Sequence, residues 1–204
     1  MALTLSKGNV ISLKKGVKYA KIGLGWQCGT QNIDLDASAF LLGANGKCAS
    51  DDDVVFYGMQ SEDKVHVSGA VKYGGDSLSG GDGDEDDETL FFDFEKMPRR
   101  VTEVDITVTI HRWKTRNQTF GMVKKAYCRL IATDADGNPD GSGDELRFNL
   151  PDDYPKDTAI LVAKLIKDDA SRTWSFKAVG DGYQNAGLGK LVRDRGLVCD
   201  DGDQ

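Results

Sequence analysis

Val104-Asp-Ile-Thr-Val-Thr-Ile-His111 is the stretch on which the reading of the fold turns. Apolar side chains recur at every second position, Val104, Ile106, Val108 and Ile110, with Asp105, Thr107, Thr109 and His111 between them. A period of two belongs to an extended strand with one face on a core and the other toward water, and Val, Ile and Thr suit such a pleated surface. The same alternation appears upstream in Ile33-Asp-Leu-Asp-Ala-Ser-Ala-Phe40, where Ile33, Leu35, Ala37 and Ala39 share one face and Asp34, Asp36 and Ser38 the other. Further strands are expected at residues 10–13, 18–26, 54–57, 89–94, 158–167 and 173–179. Residues 125–133 and 145–150 read as a hairpin around a Gly/Asp-rich turn. Residues 58–72 read as a polar connection holding His66, 112–121 as a polar loop, and 186–193 as a short helix. Many short strands with turn residues between them make an all-β protein, an antiparallel β-sandwich with a few short helices.

The 204 residues suffice for one core that buries roughly 70% of the unfolded surface. A single domain over residues 1–199 is expected, followed by a flexible acidic tail at 200–204. A formal charge of -7 argues against the non-specific nucleic-acid binding that a basic face supports, so no nucleic-acid partner is expected. The N-terminal residues lack the apolar core of a signal peptide, and no apolar run approaches the ~18 residues of a membrane span. A cytoplasmic location is therefore expected, with Cys28, Cys48, Cys128 and Cys199 as separated, reduced thiols.

The acidity is concentrated in Tyr73-Gly-Gly-Asp-Ser-Leu-Ser-Gly-Gly-Asp-Gly-Asp-Glu-Asp-Asp-Glu-Thr-Leu-Phe-Phe-Asp-Phe-Glu95, which carries nine carboxylates and no Lys, Arg or His. Those nine charges exceed the net charge of the whole chain, so the remainder is not acidic. A run such as Asp84–Glu88 repels itself and is common in solvated tails. Here it is enclosed by a glycine-rich segment and a strand. Glycine lets a backbone turn its carbonyls toward one point, and carboxylates with inward carbonyls make the oxygen-only shell that Ca²⁺ takes. A solvated acidic loop and a cation site are both consistent with the composition. Asp34 and Asp36, two apart on a strand, point the same way; they form either a solvent-facing polar row or a partner for the acidic loop.

Other signatures are incomplete. Asp136-Gly-Asn-Pro-Asp-Gly141 fits the first half of an EF-hand loop, but Arg147 stands where the bidentate Glu is needed, so it reads as a hairpin turn. His66 and His111 are the only histidines and no HExxH occurs, which leaves a zinc hydrolase little to build on. No complete phosphate-binding loop or nucleophile elbow is present. A hydrolase using a carboxylate-bound metal lacks a visible nucleophile or base.

Four stretches in order along the chain resemble the TerD family of tellurium- and stress-resistance proteins: Leu3-Thr-Leu-Ser-Lys-Gly8, Gly23-Leu-Gly-Trp26 with Asp34-Leu-Asp-Ala-Ser-Ala-Phe40, Gly75-Asp-Ser-Leu-Ser-Gly80 running into Asp84–Glu88, and Phe176-Lys-Ala-Val-Gly-Asp-Gly-Tyr183. The resemblance implies a β-sandwich with C2-like character that binds two Ca²⁺ ions through clustered loop carboxylates and has no enzymatic activity. The matching positions are Asp34, Asp36, Asp76, Ser77 (where the family commonly has Asn), Asp84, Asp86, Asp87 and Glu88; Asp82 joins them by proximity. It also implies a protein partner of the same resistance system, docking on the calcium-ordered face. A Ca²⁺-dependent membrane surface is the alternative partner, with Arg112, Trp113 and Lys114 as the groups that would meet it. The chain departs from the family pattern at Glu85, at Tyr57-Gly-Met59 and in an acidic loop one residue longer; these departures bear on the second ion more than the first.

Overall fold

The computed structural model describes residues 2–28, 32–61, 63–75, 86–142, 145–150 and 153–199. In chain order its strands are β1 (Ala2–Leu5), β2 (Val10–Ser12), β3 (Tyr19–Gln27), β4 (Leu35–Leu42), β5 (Val54–Val55), β6 (Val71–Tyr73), β7 (Glu88–Asp93) and β8 (Glu103–Ile110). They continue with β9 (Lys124–Thr133), β10 (Glu145–Asn149), β11 (Asp157–Asp168) and β12 (Thr173–Gln184). The helices are α1 (Trp113–Arg116) and α2 (Leu188–Asp194). Two six-stranded sheets result, ordered β1-β10-β9-β3-β7-β6 and β2-β12-β11-β8-β4-β5.

The alternating residues do what their period demands. Ile22, Leu24, Leu90, Phe92 and Leu130 of the first sheet meet Leu35, Val104, Ile106, Ile160 and Phe176 of the second in one buried cluster. The expected antiparallel sandwich is present, with β9 and β10 forming the expected hairpin. The pairing of β1 with β10 is parallel. A hairpin forces antiparallel neighbours, but β1 and β10 are distant in the chain, so their direction is free. Neither β1 nor β6 was expected; three or four residues at a sheet edge give too little alternation to read.

One expectation fails in an informative way. The polar face of β8 does not meet water: Asp105, Thr107 and Thr109 are buried, as are Asp34, Asp36 and Ser38. A second apolar cluster lies on that side, in which Ala186, Leu188 and Leu191 pack on Phe40, Leu42, Val54 and Ala159. The segment around α2 is therefore a partial third layer. Arg195 fastens it, donating to Asp105 from Nε at 3.0 Å and Nη2 at 2.6 Å and to the Leu191 carbonyl at 3.0 Å. Its guanidinium also lies 4.3 Å from the centre of the Phe40 ring. Residues 112–121, expected as a polar loop, hold α1 and a short 3₁₀ turn at Phe120–Met122, with Trp113 and Phe120 packed against the main core. The expected tail at 200–204 lies outside the described residues.

Candidate metal centre

Of the expected ligands, Asp34, Asp36, Asp86, Asp87 and Glu88 are described; Asp76, Ser77, Asp82 and Asp84 lie outside the described residues. The acidic stretch joins β6 to β7 at the edge of the first sheet, and its C-terminal end is tied to the start of β4 in the second. Glu88, the first residue of β7, makes the tie. Its carboxylate runs between the sheets, where Oε2 accepts the Ala37 N–H and Oε1 accepts the Tyr73 hydroxyl at 2.7 Å. The Ala37 N–H is available because β5 has only two residues and pairs with Ala39 and Phe40, leaving the preceding part of the β4 edge unladdered. Asp87 makes a second tie: it accepts the Trp26 N–H at 2.9 Å, and the Trp26 indole donates to the Ile33 carbonyl at 3.2 Å.

These ties reach Ile33 and Ala37, the residues that flank Asp34 and Asp36 in the chain. Asp34 and Asp36 are both buried, at 5% and 3% exposure. This polar row is enclosed partly by the turn after β8. The His111 N–H donates to the Asp34 carbonyl at 2.9 Å, His111 Nδ1 stands 3.3 Å from Asp36 Oδ2, and Arg116 Nη1 stands 3.8 Å from Asp34 Oδ2. His111, expected to face outward at a strand end, is thus a neighbour of the acidic pair. Arg112 and Lys114 remain exposed on the same turn.

Asp86 occupies a different place. Its carboxylate lies on the outer face of the first sheet, 2.7 Å from Arg129 Nε, 3.1 Å from Lys21 Nζ and 3.3 Å from the Tyr127 hydroxyl. Gly23 makes room for it: a Cβ there would sit 2.1 Å from Asp86 Cγ. Gly25 does the same for the Tyr127 ring, whose nearest atom would be 2.4 Å from an added Cβ. Burial pulls the Arg129 guanidinium down, but Asp86 more than compensates and holds it above its ordinary value. Burial and the Asp86 charge push the Tyr127 phenol up to about 12. Arg129, Lys21 and Tyr127 were not foreseen. The sequence signal was Gly23-Leu-Gly-Trp26, since glycine inside a strand marks close approach by another group.

The donors are chemically apt for a hard cation, being carboxylate oxygens without thiolate or clustered imidazole. Among the described residues, however, no three His, Cys, Asp or Glu side chains stand close enough together to hold a metal ion. Asp34, just before β4, and Asp36, within it, are described carboxylates that could contribute to a Ca²⁺ shell; they stand against Arg116 and His111. The Asp136 turn is a hairpin turn as expected, with Asp134 accepting the backbone N–H groups of Asp136 and Asn138. Cys48 and Cys128 are buried; burial raises both thiols, Cys48 to about 12, so neither is a thiolate at neutral pH. A groove of about 460 Å³ on the first sheet, lined by Tyr19, Lys72, Phe91 and Lys96 among others, includes none of the described candidate ligands.

Two packed six-stranded sheets define a β-sandwich. The chain belongs to the TerD domain family, whose model matches residues 1–194. It is 37% identical to the tellurium resistance protein TerD of Serratia marcescens, over 97% of this chain and 98% of that one. It is 34% identical to general stress protein 16U of Bacillus subtilis (strain 168), over 97% and 98% of the two chains. The solved structure of a homologue of telluride resistance protein (TerD) from Streptomyces coelicolor A3(2) shares the fold, with a TM-score of 0.62 at 18% identity, covering 90% of this chain and 100% of that one. The resemblance carried by the four sequence stretches is borne out. None of these names specifies an enzymatic activity.

Proposed function

We propose that this chain is a non-enzymatic Ca²⁺-binding module of a tellurium- and stress-resistance system. Its clustered carboxylates bind two Ca²⁺ ions, and the ions order a face on which a protein partner of the same system docks. The observation that carries this reading is the burial of Asp34 and Asp36, whose chain neighbours Ile33 and Ala37 are tied to the end of the acidic stretch by Trp26 with Asp87 and by Glu88. His111 and Arg116 stand beside these two buried carboxylates, and a divalent cation would add to their offset of the cost of keeping both charged. Ca²⁺ tolerates the irregular shell that loop carboxylates offer, whereas Mg²⁺ demands near-ideal octahedral geometry. Titration calorimetry of chelator-stripped protein, first with Ca²⁺ and then with Mg²⁺, tests the reading. Saturable Ca²⁺ uptake, absent in Asp34→Asn/Asp36→Asn, is expected; no heat and no thermal shift from Ca²⁺ would remove it.

A second reading, a Ca²⁺-dependent membrane surface, draws on Arg112 and Lys114, which are exposed on the turn that covers the acidic pair. Pelleting with anionic vesicles in the presence and absence of Ca²⁺ separates it from the first. Co-sedimentation only with Ca²⁺, lost in Arg112→Ala/Lys114→Ala, would favour the membrane.

A further inference from the structure

Asp86 stands inside the acidic stretch and matches a position that the family resemblance counts among the ligands. The geometry of its carboxylate points elsewhere. Oδ1 accepts from Arg129 Nε at 2.7 Å and from the Tyr127 hydroxyl at 3.3 Å, and Oδ2 lies 3.1 Å from Lys21 Nζ. The side chain is only 4% exposed, and its two cationic partners are themselves largely covered.

We infer that Asp86 is a positioning residue and not a cation ligand: its seat on Lys21, Tyr127 and Arg129, over Gly23, pins the C-terminal end of the acidic stretch to the outer face of the first sheet. The other carboxylates then meet the ion from a fixed base. The inference rests on the Ca²⁺ reading above. Its warrant is electrostatic. Transfer of Asp86 to a cation would take the nearest carboxylate from Lys21 and Arg129, both largely out of water, leaving Arg129 with Glu145 at 3.7 Å. Breaking a covered pair by taking one partner away is strongly unfavourable, even where replacing both would be neutral. The seat is also shaped for its occupant, since the missing Cβ of Gly23 supplies the space that the carboxylate fills.

The two roles predict opposite signs for one variant. If Asp86 were a ligand held back by Arg129, Arg129→Gln would free it and tighten Ca²⁺ binding. If Asp86 is the anchor, Arg129→Gln loosens the stretch and weakens Ca²⁺ binding by about tenfold, even though it removes a repelling positive charge. Asp86→Asn should weaken binding similarly, and the double variant should bind no more weakly than the weaker single one. Eu³⁺ luminescence lifetimes in H₂O and D₂O count the waters on the bound ion. That number stays unchanged in Asp86→Asn for an anchor and rises by one for a lost ligand. Gly23→Ala reaches the same seat from the other side and should copy the loss in affinity while leaving the water count alone. All variants are compared after circular dichroism confirms that they fold.

Tighter or unchanged Ca²⁺ binding in Arg129→Gln, or an added water in Asp86→Asn, overturns the inference. Wild-type protein that takes up no Ca²⁺ overturns the parent reading instead. The seat is then judged by a double-mutant cycle on urea unfolding, in which zero coupling between Asp86→Asn and Arg129→Gln overturns it as well.

Discussion

Asp53 shows at the residue scale how this chain keeps a charge in its interior. Oδ1 receives Arg100 Nη2 at 2.6 Å and lies 3.3 Å from His66 Nε2, and Oδ2 accepts the N–H groups of Ala49 and Ser50 at 2.7 and 3.2 Å. Burial pushes this carboxyl up, but those donors outweigh it and the acid is held below its usual range. A depressed folded-state value means that the stabilisation is complete above the unfolded value near 3.9 and is lost as pH falls through the folded one. Asp53→Ala should therefore cost about 3 kcal/mol in urea unfolding at pH 7, and the deficit relative to wild type should shrink as the pH falls below about 4. A deficit that is the same at pH 7 and in strong acid would refute this account. None of it was legible in the sequence, where Asp51 to Asp53 read only as the approach to a strand. The donors come from residues far along the chain and from backbone N–H groups that no side-chain pattern announces. The glycines were partly legible. Gly23 and Gly25 announce close approach, but not that Asp86 and Tyr127 fill the space. With Asp86 Cγ only 2.1 Å from the added atom, Gly23→Ala should cost about 2 kcal/mol in urea unfolding. A loss of a few tenths would mean that Asp86 moves aside freely.

Strands were easy to read at the scale of elements, and their surroundings were not. The alternation in β8 and β4 fixed which residues face the sheet-to-sheet core, because period two is a local property of the backbone. It says nothing about what lands on the opposite face. That face is covered by the segment around α2, whose short helix signal was visible but whose docking site depends on contacts with residues far earlier in the chain. Thr107 and Ser38 are buried there directly opposite each other on neighbouring strands, in positions that local reading assigns to water. The third layer makes a measurable prediction. Leu191 is fully buried against the second sheet, so Leu191→Ala should cost about 3 kcal/mol through lost burial and the cavity left behind. Arg195→Ala strips Asp105 of its two guanidinium bonds and should cost a similar amount. Because both changes loosen the same segment, their combined cost should fall short of the sum of the single costs. Strict additivity in urea unfolding would show that helix packing and the Arg195 bonds act independently.

The whole molecule couples its two sheets through the acidic edge. Glu88 bonds from the first sheet to Ala37 of the second, and Asp87 reaches the same region through Trp26 and Ile33. The acidic stretch was legible as the centre of the chain's charge, and the resemblance proposes that it works with Asp34 and Asp36. The division of labour was not. Consecutive residues Asp86, Asp87 and Glu88 look equivalent as a run of carboxylates, yet one faces the outer surface, one caps a backbone N–H and one passes between the sheets. A cation held by these carboxylates would bind the folded chain and not the unfolded one, so its binding free energy would appear as stability. At a free concentration near one hundred times the dissociation constant, that linkage is worth about 2.7 kcal/mol. For a chain of this length each kcal/mol moves the unfolding midpoint by about 2–4 °C, which predicts a rise of about 5–10 °C with Ca²⁺. Mg²⁺ at the same concentration should produce a much smaller rise, because it gives up its waters reluctantly to an irregular shell. Asp34→Asn/Asp36→Asn should remove the Ca²⁺ shift, compared with the same variant after chelator treatment so that loss of the His111 and Arg116 contacts is counted separately. A Ca²⁺ shift that survives in this variant would place the ion away from β4, and the role assigned to the buried pair would have to be given up.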